Sequence, residues 1–351
     1  MKRGNGIRAL LLAGVLFSSL FAGAATVDAA TAGGCSDVSV PAGLAPGLPR
    51  DQQIYGRLCL PAGPAPKVLQ LLVHGASYDH TYWDFPGSDG QYSYTRAMTS
   101  AGYATLAIDQ LGVGRSSHPL SVLATQLAAA NAVHDVVTAA RSGGLGPAFP
   151  KVVLVGHSFG SLTSWLEAGT YQDVDGVLVS GASHVLAPTV IPRLLTLVRP
   201  AQLDPVTASR VPPLDPGYLS IPGARAQFFY YLPNADPAVI AQDEATRSES
   251  PSGVLATVPV YIPSTLGIRV PVLEVNGTYD VPFCAQGGAG SITDCATDAS
   301  LHASEALFFT PAAQLETAVI PDAGHNLNLQ RNAGVFFDRA LSWFQRRFSV
   351  Q

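Results

Sequence analysis

Five residues, Gly156-His157-Ser158-Phe159-Gly160, sit between the apolar run Val152-Val153-Leu154-Val155 and a helical pattern over Phe159 to Ala168. A buried strand that turns into a helix around one serine leaves a chain few architectures. The turn is so sharp that its serine sits strained, and side chains at either glycine would collide with neighbouring backbone. The serine hydroxyl is presented at a helix N-terminus, where free amides stabilise negative charge. G-x-S-x-G arises by chance in many chains, but a strand before it and a helix after it single out Ser158 as a nucleophile.

The rest of the chain repeats that alternation. Strands are expected over Ile54 to Leu60, Val68 to Val73, Ala104 to Ile108, Val152 to Val155, Val174 to Val179, Val270 to Val275 and Leu315 to Ile320. Several lack polar alternation, as strands buried on both faces do. Helical patterns cover Tyr92 to Ser100, Ser121 to Arg141, Phe159 to Ala168, Ala299 to Leu307 and Ala333 to Phe348. The expected fold is α/β, a mostly parallel central sheet flanked by helices. One window breaks the rhythm: about residues 185–265 hold 13 of the chain's 27 prolines and the cluster Phe228-Phe229-Tyr230-Tyr231. Prolines stop long helices and pre-set turns, so this window reads as an inserted cap, an irregular lid of short helices rather than a second domain.

Lys2, Arg3 and Arg8 precede an apolar stretch from Ala9 to Ala25, followed by small residues through Ala32. This reads as a secretory signal peptide over residues 1–32, with cleavage sites between 24 and 32, and residues 33–351 as the exported domain. The stretch is at the lower edge of bilayer-spanning length, so a retained anchor is the alternative, and no stable membrane anchor is expected. Export makes the cysteines legible. Cys35, Cys59, Cys284 and Cys295 lack metal-ligand spacing and favour disulfides, and of the three pairings locality favours Cys35–Cys59 with Cys284–Cys295. Charged residues make up 13% of the chain and the net charge is −5. With its cations scattered, the chain offers no basic field for nucleic acid.

A serine hydroxyl needs a base, and the base an orienting acid. Of eight histidines, His325 lies in Pro321-Asp322-Ala323-Gly324-His325-Asn326, on a loop just past the last strand. Asp280 follows the strand before it, in chain order between nucleophile and base; Asp294 and Asp298 are second choices. His74-Gly75-Ala76 follows the strand ending at Val73, where backbone amides of Ala76 and Phe159 would face a developing oxyanion. Ser77 is an alternative donor, and His74 is expected to brace the loop.

Together these segments resemble the α/β-hydrolase superfamily over most of the chain after residue 32: His74-Gly75 after the third strand, Asp109-Gln110-Leu111-Gly112-Val113-Gly114-Arg115-Ser116 after the fourth, Ser158 after the fifth, a cap after the sixth, Asp280 after the seventh and His325 after the eighth. The resemblance implies a serine hydrolase without metal or organic cofactor, and a mainly structural Asp109 turn. Serine at the elbow argues against the haloalkane dehalogenases and epoxide hydrolases, which carry a carboxylate there. The oxyanion loop looks like the H-G-x class rather than the HGGG-type lipases, and the cap departs from open cutinase-like clefts. Proline iminopeptidases use acidic cap residues to hold a substrate amine, for which Asp243, Glu244 and Glu249 are the candidates.

Tyr78, Tyr82, Trp83, Phe228, Phe229 and Tyr230 are candidates for an apolar substrate pocket, with lid-to-body packing as their alternative role. The expected activity is hydrolysis of small to medium hydrophobic carboxylic esters by a secreted enzyme. The same triad could act on a lactone, thioester, amide or carbon–carbon bond. A fold does not fix a function, so a non-catalytic ligand-binding protein is the reading from another class.

Overall fold

The computed structural model describes Met1 and residues 31–349, and the proposed signal segment falls, apart from Met1, Thr31 and Ala32, outside them. The chain runs β1 (Thr31–Ala42), β2 (Gln52–Gly63), β3 (Val68–Val73), α1 (Tyr94–Ser100), β4 (Ala104–Ile108), α2 (Gln126–Ser142), β5 (Lys151–His157), α3 (Phe159–Tyr171) and β6 (Gly176–Ser180). The cap follows, with α4 (Val190–Leu195), β7 (Arg199–Pro200), β8 (Tyr218–Ser220), α5 (Pro237–Ala245), β9 (Ser250–Pro251) and α6 (Ser252–Ala256). β10 (Val272–Gly277), α7 (Asp298–Glu305), β11 (Glu316–Ile320) and α8 (Ala333–Arg347) close the body.

Eight strands form one sheet in the order β1-β2-β4-β3-β5-β6-β10-β11. From β4 to β11 every pairing is parallel, while β1–β2 and β2–β4 are antiparallel. The apolar runs are buried on both faces because alternate side chains enter two separate cores. Leu69, Leu71 and Val73 of β3 and Val152 and Leu154 of β5 pack with the Ala-rich face of α2 and with α3. Val68, Leu72, Val153 and Val155 pack on the other side with Phe336, Ala340, Trp343 and Phe344 of α8, a helical stripe. Thr125 caps α2 by accepting from the Ala128 amide, and Gly143 ends it at φ 81°.

β1 was not among the expected strands. Its first half is small and polar, with only the short alternation Val38, Val40 and Ala42 entering the core, and it is held by pairing with β2 in a register that sets Cys35 opposite Cys59. Those two cysteines are bonded, as are Cys284 and Cys295, which is the pairing that locality favours. The 185–265 window lies between β6 and β10 as short helices around a three-stranded antiparallel ribbon, β7-β8-β9, rather than helices alone. Among the described residues no helix is long and apolar enough to cross a membrane.

The disulfides span 24 and 11 residues. Loop-closure entropy gives each about 3 kcal/mol, slightly more for the longer loop. Replacing Cys35 and Cys59 together by Ala is therefore expected to lower the urea-unfolding free energy by about 3 kcal/mol. A change below about 0.5 kcal/mol would show that the β1–β2 hairpin is held by its ladder alone.

Candidate active site

Ser158 occupies the turn between β5 and α3 at φ 52°, ψ −121°, a backbone that L-residues rarely adopt. Local contacts hold it there. The Ser158 amide donates to the Ser180 carbonyl at 2.8 Å, and the Ser161 amide donates to the Ser158 carbonyl at 2.8 Å. A Cβ on Gly156 would lie 2.5 Å from Ser161 Cα, and one on Gly160 would collide with the carbonyl oxygens of Val73 and His74. The two glycines let α3 start against the end of β3. That approach also sets the next loop beside the serine, since a Cβ on Gly75 would be 2.9 Å from Ser158 Cβ.

His74 holds this loop in place. The Gln110 amide donates to His74 Nε2 at 3.0 Å, which leaves Nδ1 as the protonated nitrogen, donating to the Gly75 carbonyl at 2.8 Å. With both ring nitrogens committed to backbone and burial lowering its pKa, His74 stays neutral and braces the turn. Of the expected oxyanion donors, Phe159 follows Ser158 in the chain and Ala76 follows Gly75, whose approach sets this loop beside the serine; among the described residues no backbone carbonyl outside regular elements accepts from either amide.

His325 and Asp280 meet across the ends of β10 and β11. His325 Nδ1 is 2.9 Å from Asp280 Oδ2, and Asp280 Oδ1 accepts from the Phe283 amide at 3.1 Å. Both side chains are buried. The Cys284–Cys295 bridge closes the loop that follows Asp280, and the Cys284 amide donates to the Asp280 carbonyl at 2.8 Å. The His325 ring comes down on the elbow. It lies 4.8 Å from the ring of His157, the residue before Ser158, and its Cε1 is 3.1 Å from where a Gly181 Cβ would be. His157 in turn stacks on Tyr82 at 4.4 Å, and burial and then His325 hold its pKa well below the usual value. A neutral His157 is thus the floor under His325.

The six aromatics expected to wall a pocket all lie in the interior on one side of the sheet. What the structure gives them is packing of lid to body. Tyr82, Trp83 and Phe228 are enclosed, while Phe229 faces the His325 ring at 5.3 Å. Tyr78 and Tyr230 turn their hydroxyls to Asp243 Oδ2, at 2.9 and 2.7 Å. A cleft of about 500 Å³ between Arg225, Leu232, Ile240 and Glu244 belongs to the cap and is not lined by Ser158, Asp280 or His325.

Asp243 is the centre of a network that the sequence did not reveal. Arg225 Nε donates to its Oδ1 at 3.1 Å, and Asn326 Nδ2 donates to Oδ2 at 3.2 Å and to the Tyr78 hydroxyl at 2.6 Å. Arg225 also reaches the oxyanion loop, with Nη2 on the Ser77 carbonyl at 2.6 Å and Nη1 on Ser77 Oγ at 3.1 Å. Ser77 is at φ 60°. Burial would strip Arg225 of its proton, but the Asp243 carboxylate outweighs it and keeps the guanidinium charged. One buried ion pair from the cap therefore grips the residue after Ala76 and the residue after His325. Asp243 has no oxygen left for a substrate amine. Glu249 is likewise engaged with the Gly114 amide and His118, and Glu244 accepts from the Gly223 amide. Asp243 and Glu249 are thereby committed within the protein, and Glu244 lines the cap cleft rather than the surroundings of Ser158. Arg225 was detectable only as a lone cation in an otherwise uncharged, aromatic stretch.

Residues 70–339 match the alpha/beta hydrolase family. No curated protein matches the chain significantly. Among solved structures, an esterase from Exiguobacterium antarcticum is 14% identical with a TM-score of 0.59, over 88% of this chain and 99% of that one. Monoglyceride lipase from Saccharomyces cerevisiae is also 14% identical, with a TM-score of 0.59 over 88% and 96% of the two chains. The esterase domain of a Rhodothermus marinus protein reaches 19% identity and a TM-score of 0.52, over 89% and 98%. Identities this low speak for a common fold, and the match over residues 70–339 goes further: the chain belongs to the alpha/beta hydrolase family.

Proposed function

We propose that the chain is an exported serine esterase that cleaves small to medium hydrophobic carboxylic esters through an acyl-enzyme. The observation that carries this reading is the Asp280–His325 contact of 2.9 Å, with the His325 ring 4.8 Å from that of His157, the residue before a serine in a strained elbow. Ser158 Oγ attacks the ester carbonyl as His325 Nε2 takes its proton. Asp280 holds Nδ1–H, fixing the tautomer and stabilising the imidazolium. The carbonyl oxygen, now negative, receives the Ala76 and Phe159 amides, a contribution of about 3 kcal/mol per donor. His325 then protonates the leaving alcohol, and water repeats the sequence on the acyl-enzyme. The similarity to structures described as esterases and lipases supports an ester substrate. Phe229, whose ring faces that of His325, supports a hydrophobic one, and the two disulfides support an oxidising compartment reached through the N-terminal signal.

Hydrolysis of p-nitrophenyl esters of increasing acyl length tests the reading. The parent is expected to prefer short to medium chains, and Ser158→Ala to lose at least about 10⁴-fold in kcat. Fluorophosphonate labelling of Ser158 without ester turnover would shift the assignment to another scissile bond.

The buried network gives a second expectation. Arg225→Met leaves Asp243 as an unpaired buried charge, so it is expected to cost about 3–5 kcal/mol of stability. Asp243→Asn keeps the shape but weakens the grip on Ser77 and Asn326. Its kcat against the same esters is expected to fall at least about tenfold with KM changed less, whereas an unchanged kcat would confine the network to holding the cap.

A further inference from the structure

Three side chains outside the triad converge at the far end of α3. His134 comes from α2, Glu167 from α3 and Asp173 from the connector to β6. Gln172, at φ 54°, ends α3 in the left-handed conformation, and the reversal brings Asp173 Oδ2 to 2.8 Å from His134 Nδ1. Glu167 approaches the same nitrogen from the interior, with Oε1 at 4.0 Å. One donor atom from each residue lies within 4.8 Å of the others. The imidazole is held in orientation by Tyr171, stacked on it at 4.0 Å and 9°. The Tyr171 hydroxyl is itself anchored on Asn131 at 3.0 Å.

Glu167 is fully buried, and among the described residues no donor from outside the cluster reaches either of its carboxylate oxygens or Asp173 Oδ1, so the two acids are left to face each other. Arg141, the cation of this corner, is spent elsewhere. Its nitrogens bond to the carbonyls of Asp173 and Pro150 and to the Asp175 carboxylate, at 2.6–2.9 Å. The other carboxylate–histidine group, Asp79, His80 and Asp109, differs in this respect. Asp109 is satisfied by the His80 amide and ring and by the Arg115 amide.

We propose that His134, Glu167 and Asp173 bind a first-row divalent transition-metal ion, Zn²⁺ or Mn²⁺, with water completing its coordination. One imidazole and two carboxylates suit such ions, whereas Ca²⁺ takes about six to eight oxygens. Metal–donor bonds of about 2.0–2.2 Å hold neighbouring donors about 3.3 Å apart. The ion therefore replaces the His134–Asp173 hydrogen bond, opening that pair from 2.8 Å by about half an ångström and drawing Glu167 Oε1 in from 4.0 Å by a little more. His134 and Asp173 are 28% and 26% exposed, which gives the ion a route in from solvent. Bound there, it ties α2 to the C-terminal end of α3, the helix whose N-terminus presents Ser158, and so braces the scaffold without entering the ester chemistry.

The test uses the full-length, tag-free protein, stripped with chelator and titrated with Zn²⁺ and with Mn²⁺ by calorimetry and thermal melting. One ion per chain is expected, with a Tm rise of at least about 4 °C. Glu167→Gln and His134→Ala are each expected to weaken binding at least about tenfold, with parental circular dichroism and ester turnover. Glu167→Gln is isosteric and uncharged, so it folds with or without metal. The proposal is overturned if the stripped parent takes up neither ion, in which case Glu167 is simply a protonated buried acid. Undiminished binding by Glu167→Gln would equally overturn it, by placing the ion elsewhere.

Discussion

The contact on which the rest depends is backbone against backbone, where α3 begins against the end of β3. Gly160 lies against the carbonyls of Val73 and His74, and Gly75 lies against Ser158. Because no side chain separates these segments, the strained serine and the loop carrying Ala76 form one rigid unit. Such strain persists only where surrounding structure over-determines it. Here the Ser180 carbonyl, the helix behind it and the bracing His74 together do so. A parallel sheet supplies the geometry, since the loops after β3, β5, β10 and β11 all emerge at the same edge.

The cap completes what the sheet begins. Loops at strand ends are free to move unless something spans them, and the Arg225–Asp243 pair spans two of them through Ser77 and Asn326. An ion pair so deeply buried adds little net stability over an apolar replacement, yet breaking it is costly. Its value lies in geometry: a cap seated on Asp243 also fixes the loops on both sides of Ser158.

The sequence exposed the parts whose chemistry tolerates few alternatives. The elbow was legible because a glycine on either side of Ser158, between a strand and a helix, is what so sharp a turn requires, and Asp280 and His325 because each follows a recognisable apolar strand. β1 was hidden, since Gly33, Gly34 and neighbouring polar residues break the pattern and leave only the short alternation Val38, Val40 and Ala42, besides Cys35, which sits opposite Cys59. The aromatics announced burial but not on which side of it they lie, so Tyr82, Trp83 and Phe228 read as pocket wall and stand in the interior. Arg225 with Asp243, and His134 with Glu167 and Asp173, come together only through tertiary folding. No local spacing marks such pairs.

The central claim is that Ser158 is the nucleophile and that the Ala76 and Phe159 amides receive the oxyanion. A crystal structure of the protein inactivated with an alkyl phosphonate, which mimics the tetrahedral intermediate, tests it directly. The account predicts phosphorus bonded to Ser158 Oγ and its oxygen about 2.7–3.1 Å from both amides. Phosphorus on another residue, or an oxygen turned to solvent, would contradict it.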